Sequence, residues 1–362
     1  MKKIIPVLSA GFGEGHNAAA RAVVAAINRE SIGAEAEFHD IFLEAYGQEK
    51  AHKQRDSYIQ VANRFPKLWG CMYAALHYLP LVEISLPFLG PVRRRLMELL
   101  DSTQPRVIIS AYPLYNYQIE RRWKLNDSAR PYIITVVTDS VSVNRAWHRA
   151  CSDVYVTPNQ ATADVMIKQG VSKDKILAYG FPVSDKLASR SSATASGRPR
   201  VLLMLNPGRK DAVQMARALS ELEIDLTVTV GKDAEFKGAV EAAVAGRAEV
   251  LGWTDRITEL MLSSHIVISK AGGATTHECV AAGVPMIISQ VIPGQESGNA
   301  RLIVEHDAGC LGLTPEAMKA AVASAFADDF KVWRRWKKNV ESLGDAQGAT
   351  RIAQLVKKRL AQ

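Results

Sequence analysis

The sequence predicts an α/β protein made of two doubly wound parallel sheets. Three observations predict it. Short apolar, β-rich runs alternate with helical patterns through most of the 362 residues, as successive βαβ units require. A small, polar stretch without periodicity, Ser189–Pro199, divides that alternation into halves. In each half a glycine-bearing turn follows an apolar strand, which is where such folds bind ligands. Two cores are favoured over one at this length. The expected domains are residues 1–188 and 200–330, joined by 189–199, with a helical segment 331–362 closing the chain. Ligands would then sit in a cleft between the carboxyl ends of the two sheets.

Composition narrows the class further. With 48% apolar and 23% charged residues the chain is ordinary globular material, which excludes disorder, collagen and coiled coil. Cys71, Cys151, Cys279 and Cys310 are scattered without a C-x-x-C pair. That excludes a zinc ribbon and a disulfide scaffold, and it suits a reducing cytoplasm. The run Ile4–Ala10 after Met1-Lys-Lys is short and carries Pro6, so it reads as a first strand and not as an export signal.

Taken in order, the first half offers strands at Ile4–Leu8, Ala36–His39, Val107–Ser110, Ile133–Val137 and Val154–Thr157. The first leads into Gly11-Phe-Gly13-Glu-Gly15-His16 and a helix over Asn17–Asn28. Glycines there let backbone approach a ligand, and the helix N-terminus favours negative charge. The same field disfavours an imidazolium, so His16 is expected neutral and able to take a proton. Asp40 ends the next strand as the ribose acid of a dinucleotide site would, but G-x-G-x-G is not the dinucleotide spacing.

Charge is unevenly placed. Residues 50–95 hold eight Lys/Arg and two acids, residues 331–362 nine and two, so the rest of the chain is mildly acidic beneath the overall +8. Two basic patches point to an anionic partner, with a pair of solvated helix faces as the alternative. Within the first, Leu68–Val92 carries one formal charge, Glu83, and is too broken by Pro80, Pro87 and Pro91 to span a membrane as one helix. Apolar and aromatic residues bordered by cations fit a segment lying at a lipid interface, with Trp69, Tyr73, Arg93, Arg94 and Arg95 as candidates. A buried helix pair with basic ends remains the alternative. No nucleic-acid recognition motif is present, so a nucleic-acid partner is not expected.

The second half offers strands at Val201–Leu205, Leu226–Val230, near Val250, Ile266–Ser269 and Pro285–Ser289. Ser269-Lys270-Ala271-Gly272-Gly273-Ala274-Thr275-Thr276 joins a buried strand to a helix, a diphosphate site by its small residues and free amides. Glu278 follows closely enough to accept both hydroxyls of a ribose. Gln295, Glu296 and Asn299 lie in a polar loop able to bind sugar hydroxyls, and Trp253 and Thr254 end a strand where a base could stack. No D-x-D occurs, so no metal is expected on the diphosphate and no cofactor is called for.

SKAGGATTHECVAAGVPMII followed by IPGQESGNA resembles the nucleotide-sugar site of the monogalactosyldiacylglycerol synthase and processive diacylglycerol glucosyltransferase family. That family is related to the peptidoglycan GlcNAc transferase that acts on a lipid-linked intermediate. SAGFGEGHNAAARA resembles its glycine-rich loop, Val137-Thr-Asp139 with Trp147 its acceptor-side stretch, and Tyr179-Gly-Phe-Pro-Val183 its segment before the linker. The resemblance implies a GT-B fold and an inverting transfer of a hexose from a UDP-sugar to a lipid hydroxyl. It makes His16 the base or acceptor-orienting group, and places Gly13, Gly15, Asp139 and Trp147 on the acceptor side. Gly272, Gly273, Ala274 and Thr275 become the diphosphate loop, Glu278 the ribose acid, and Gln295 and Glu296 the donor-sugar contacts. It also implies a final helix crossing back to the first domain, so that both basic patches meet there.

Three places depart from the family pattern. Leu205-Asn-Pro-Gly-Arg209 stands where a glycine-richer loop opens the second domain, with Arg209 and Lys210 as substitute phosphate cations. Val143 stands where a histidine is common, and Phe12 and Glu14 interrupt the first glycine loop. The expected partners are a UDP-hexose, a diacylglycerol-like lipid and an anionic membrane, with the protein on the inner face of the plasma membrane. A soluble UDP-sugar enzyme (a UDP-GlcNAc 2-epimerase or a small-molecule transferase) and a catalytically silent binding protein remain open.

Overall fold

A computed structural model describes residues 3–123, 127, 129–206, 209, 211–294 and 296–362, with the side chains of several residues between 52 and 67 outside the description. Gln295, Pro207, Gly208 and Lys210, all named above, therefore lie outside the described residues. The chain divides into two compact units. The first comprises Met1–Asp185, Pro293–Gln295 and Ala346–Gln362; the second comprises Lys186–Ile292 and Glu296–Asp345.

The first unit carries strands β1 (Lys3–Ser9), β2 (Ala34–Asp40), β3 (Val107–Ser110), β4 (Tyr132–Val136), β5 (Val154–Val156) and β6 (Ile176–Leu177). Its helices are α1 (Glu14–Glu30), α2 (Ile41–Arg64), α3 (Pro66–Tyr78), α4 (Leu81–Ser85), α5 (Gly90–Thr103), α6 (Leu114–Arg122) and α7 (Gln160–Lys168). The strands form one parallel sheet in the order β2-β1-β3-β4-β5-β6. Val7, Leu8, Ile108, Ile109, Ile133 and Ile134 are fully buried, because helices cover both faces. That double burial is why these strands read as continuous apolar runs. Connections leave β1 and β3 in opposite directions, so the crevice of this sheet opens at their carboxyl ends.

The second unit carries β7 (Arg200–Met204), β8 (Asp225–Thr229), β9 (Glu249–Leu251), β10 (Ile266–Lys270), β11 (Met286–Gln290) and β12 (Gly309–Leu311). Its helices are α8 (Ala212–Ser220), α9 (Ala234–Val244), α10 (Ile257–Ser263), α11 (Gly273–Ala282), α12 (Ser297–Glu305) and α13 (Pro315–Ser342). The sheet order, β12-β11-β10-β7-β8-β9, is that of a dinucleotide-binding fold, with its switch point between β7 and β10. The loops after those two strands are the ones that carry Arg209 and Gly272–Thr275.

The last helix, α14 (Gly348–Leu360), belongs to the first unit. Ile352, Ala353 and Val356 share a core with Ile5, Val7, Val23 and Ile27. Gly348 makes the docking possible: a Cβ there would stand 2.6 Å from the Gly180 carbonyl oxygen.

The ends of the domains differ from the sequence reading. Ser189–Pro199 groups with the second unit, where the Ser191 amide donates to the Ala282 carbonyl and Ala193 is buried. Residues 331–342 also stay there: α13 turns at Ala327–Phe330, and the indole N–H groups of Trp333 and Trp336 donate to the His265 carbonyl and Asp307 Oδ1. The second basic patch is thereby split. Only Arg351, Lys357, Lys358 and Arg359 join the first unit, while Lys331, Arg334, Arg335, Lys337 and Lys338 remain in the second. Strands β6 and β12 were not among the expected ones.

Candidate functional site

In the first unit a cluster assembles at the carboxyl end of the sheet. The turn after β1 brings Gly11 so close to Asp40 that a Cβ would lie 2.9 Å from Asp40 Oδ2. Asp40 caps α2 by accepting from the Leu43 amide, so it is a helix cap and not a ribose acid. Gly13 adopts φ 137°, a conformation reserved to glycine, and opens α1 with no side chain capping it. Gly15 lies in the first turn of α1, and His16 follows it there.

His16 is gripped on several sides. Its Nδ1 lies 2.8 Å from Thr138 Oγ1. Tyr112 meets the ring edge-on with centroids 5.1 Å apart, and Trp147 lies 5.9 Å away, tilted. Burial pushes the imidazole pKa down to about 4, against a hydrogen bond with the Ala111 backbone that works the other way. The histidine is neutral through the physiological range, and burial is the cause. In the tautomer with a bare Nδ1, its lone pair accepts from the Thr138 hydroxyl.

Asp139 follows Thr138 and is tied down. Its Oδ2 accepts from the Tyr73 hydroxyl at 2.8 Å and from the Asn144 amide at 3.4 Å. Burial raises its carboxyl above the usual range, while the bonds from Tyr73, Asn144 and the Trp147 side chain oppose that rise. Trp147 is buried against Val137, Val143, Tyr155 and Met166. It braces the cluster from behind and is no surface for an acceptor to stack on.

In the second unit the start of α11 is open. Gly272 precedes the helix and no side chain caps it, so the amides of Gly273, Ala274 and Thr275 belong to the unpaired first turn. Lys270 ends β10 beside them, its Nζ 3.8 Å from where a Gly272 Cβ would be and 2.7 Å from Glu296 Oε1. Burial alone lifts the Glu278 carboxyl to about 7. Trp253 is 67% exposed, with Lys232 Nζ 5.5 Å from its ring centroid, and stays available for stacking. Thr254 is turned to its own chain, its hydroxyl oxygen accepting from the Arg256 amide.

Several expected contacts turn inward. Glu296 is 3% exposed, its Oε2 accepting from the Ile292 amide and its Oε1 from Lys270. It anchors a cation instead of presenting oxygens to a sugar. Asn299 is likewise buried and donates through Nδ2 to the Ala271 carbonyl, holding the diphosphate loop. The Arg209 guanidinium is taken up by Asp211 and by the carbonyls of Ser289 and Leu313, so it staples its loop to the neighbouring chain.

The interfacial residues also need correction. Trp69 is 7% exposed, and Tyr73, one turn on, is directed at Asp139. The exposed face of α3 is offset by one residue and carries Leu68 and Met72. Phe65, Tyr78, Leu79, Ile84 and Phe88, from the same stretch of chain, are exposed as well, with Phe88 82% exposed. Arg93 and Arg94 are exposed, whereas Arg95 pairs with Glu44. No described helix is long and apolar enough to cross a membrane. Sequence reasoning missed Tyr112 and the roles of Thr138 and Lys270; only Lys270, a cation beside a glycine loop, carried a signal that could have been read.

Comparisons with known proteins bear on the fold and the family. Residues 16–183 match the monogalactosyldiacylglycerol (MGDG) synthase model, and residues 210–332 the glycosyltransferase family 28 C-terminal domain. The solved structure of MurG from Acinetobacter baumannii superposes with TM-score 0.64 at 11% identity, covering 99% of this chain and 100% of that one. UDP-GlcNAc 2-epimerase from Neisseria meningitidis gives 0.62 at 10%, covering 100% of both. The two sheets and these matches define a glycosyltransferase of the GT-B fold.

Curated relatives refine the class. Processive diacylglycerol β-glucosyltransferase of Bacillus subtilis is 26% identical over 69% of this chain and 68% of its own. Monogalactosyldiacylglycerol synthase 1 of Arabidopsis thaliana is 24% identical over 99% and 72%. Along most of its length the chain is similar to the monogalactosyldiacylglycerol synthases and processive diacylglycerol glucosyltransferases.

Proposed function

We propose that this protein transfers a hexose from a UDP-sugar to diacylglycerol at the surface of an anionic membrane, with inversion at the anomeric carbon. The observation that carries the reading is His16: a neutral imidazole at an uncapped helix N-terminus, set by Thr138 and Tyr112. Its pKa of about 4 leaves it unprotonated, and its Nδ1 lone pair takes the proton of an acceptor hydroxyl by relay through the Thr138 hydroxyl. The hydroxyl oxygen bonds to the anomeric carbon as that carbon's bond to the diphosphate oxygen breaks, and UDP departs with the electron pair.

The second unit supplies the donor contacts. Amides at the start of α11, together with the Lys270 ammonium, meet the charge that develops on the diphosphate. This combination does without a metal. Glu278 takes the ribose hydroxyls and Trp253 the base. The acceptor follows from the printed functions of the relatives and from the apolar surface around α3, whose neighbours Arg93 and Arg94 complement anionic headgroups.

The test is UDP release with UDP-glucose, UDP-galactose or UDP-GlcNAc, measured with anionic vesicles that carry or lack diacylglycerol. Release that requires diacylglycerol supports the reading. Release that ignores lipid but needs a soluble acceptor, or a mere interconversion of UDP-sugars, replaces it.

A further inference from the structure

Helix α3 faces two ways. Leu68, Met72 and, beyond its end, Leu79 stand exposed on the apolar surface proposed to meet lipid. The opposite side of the same 13-residue helix is fastened to the stretch 139–149 that braces His16. The Tyr73 hydroxyl donates to Asp139 Oδ2 at 2.8 Å, and Asn144 Nδ2 donates to the Tyr73 carbonyl at 2.9 Å. Arg149 closes the helix C-terminus, donating to the carbonyls of Leu76 at 3.3 Å, His77 at 2.7 Å and Leu79 at 2.6 Å. A guanidinium at that end also complements the helix dipole. From Asp139 the connection is short: its backbone neighbour Thr138 holds His16 Nδ1, and the Trp147 side chain that bonds Asp139 lies 5.9 Å from the His16 ring.

The tyrosine is the point in this network where the outer and inner sides of α3 join through one side-chain bond. A hydroxyl donating to a carboxylate is among the stronger hydrogen bonds, and this one is partly buried.

We propose that Tyr73 is a positioning residue through which lipid contact on the outer face of α3 sets the Asp139–Trp147 stretch and, by way of Thr138, the His16 imidazole. This rests on the lipid-surface reading above. Lipid that favours one placement of α3 stabilises that placement only by its differential contact with it, and the Tyr73–Asp139 bond carries the preference inward.

The experiment compares wild type with Tyr73→Phe by amide hydrogen exchange and by steady-state kinetics, with and without phosphatidylcholine–phosphatidylglycerol vesicles carrying diacylglycerol. In the wild type, vesicles slow exchange of the amides in 139–149. In Tyr73→Phe, vesicles sediment the protein equally well, that protection is lost, and kcat falls about tenfold with the donor KM unchanged. A variant with wild-type protection and kcat overturns the link while leaving lipid docking in place. A variant that no longer sediments, or that melts well below wild type, makes Tyr73 a structural residue and also overturns it. A wild type that does not bind vesicles removes the lipid reading and this inference together. Arg149→Gln, which loosens the end of α3 without touching Asp139, provides a second arm. It lowers lipid-dependent protection of 139–149 if the helix transmits, and leaves it unchanged if the helix does not.

Discussion

The Glu278 carboxyl sits at about 7 because it is buried beside an open helix terminus, and this one fact has opposite consequences for stability and for binding. A rise from 4.5 to about 7 means that holding the carboxylate in the ligand-free protein costs on the order of 3 kcal/mol. The native carboxyl binds its proton more tightly than the unfolded one does. The associated stability is therefore fully present below pH 4.5 and is lost as pH rises through about 7. Glu278→Gln keeps the shape and removes the charge. In the absence of nucleotide it should raise the melting temperature at pH 8 by about 6–12 °C, and change it little at pH 4.5. UDP binding should move the other way. If a ribose requires the carboxylate, wild-type affinity falls by up to about tenfold per pH unit below 7. The Gln variant should bind about 10–100-fold more weakly at pH 8, with the pH slope flattened. Differential scanning fluorimetry and titration calorimetry across pH 5–8.5 give both readings. A variant that is destabilised at pH 8, or one that keeps the wild-type slope, refutes the ribose role and the burial argument behind it.

Other expectations are narrower. With donor saturating, kcat should be flat from about pH 5.5 to 8, because His16 with a pKa of about 4 is already neutral there; an inflection in kcat near 6.5 would show an ordinary histidine instead. Leu68→Ser with Met72→Ser should abolish vesicle co-sedimentation at an unchanged melting temperature. Trp69→Ala, one residue away but buried, should lower stability by about 3–5 kcal/mol in denaturant titration. Gly348→Ala forces a Cβ to 2.6 Å from the Gly180 carbonyl, so α14 should loosen and its amides exchange faster. Unchanged exchange would mean the backbone yields there at little cost.

Most of the fold was legible because its strands are buried on both faces, which leaves runs such as Val107–Ser110 and Ile266–Ser269 standing out from their surroundings. Strands β6 and β12 were not, being two and three residues long and only partly buried. The glycine loops were legible because backbone approach demands glycine whatever else is present. Side-chain direction was harder. Glu296 and Arg209 stand in loops and Asn299 in the first turn of α12, where ligand-binding and loop-anchoring residues look alike, and only their partners reveal that they hold the site together. Helix α3 was misread by one position. Apolar residues stand on both faces of the helix, so nothing in the pattern distinguishes the Leu68–Met72 face from the Trp69–Tyr73 face. The cation balance misled for a related reason. Charge counts along the chain ignore that Arg95 is paired with Glu44 and that α13 keeps five of the C-terminal cations in the second unit.

The central claim is that this chain glycosylates diacylglycerol by a reaction in which His16 takes the acceptor proton. The most direct measurement is mass spectrometry of the lipid extract after incubating UDP-hexose with diacylglycerol-bearing anionic vesicles and either wild type or His16→Ala, with UDP affinity measured in parallel. The account predicts a monohexosyl-diacylglycerol from the wild type, product reduced by at least about a hundredfold in His16→Ala, and equal UDP affinity in both. Glycolipid formed equally well without His16, or no glycolipid from the wild type with any UDP-hexose, would contradict it.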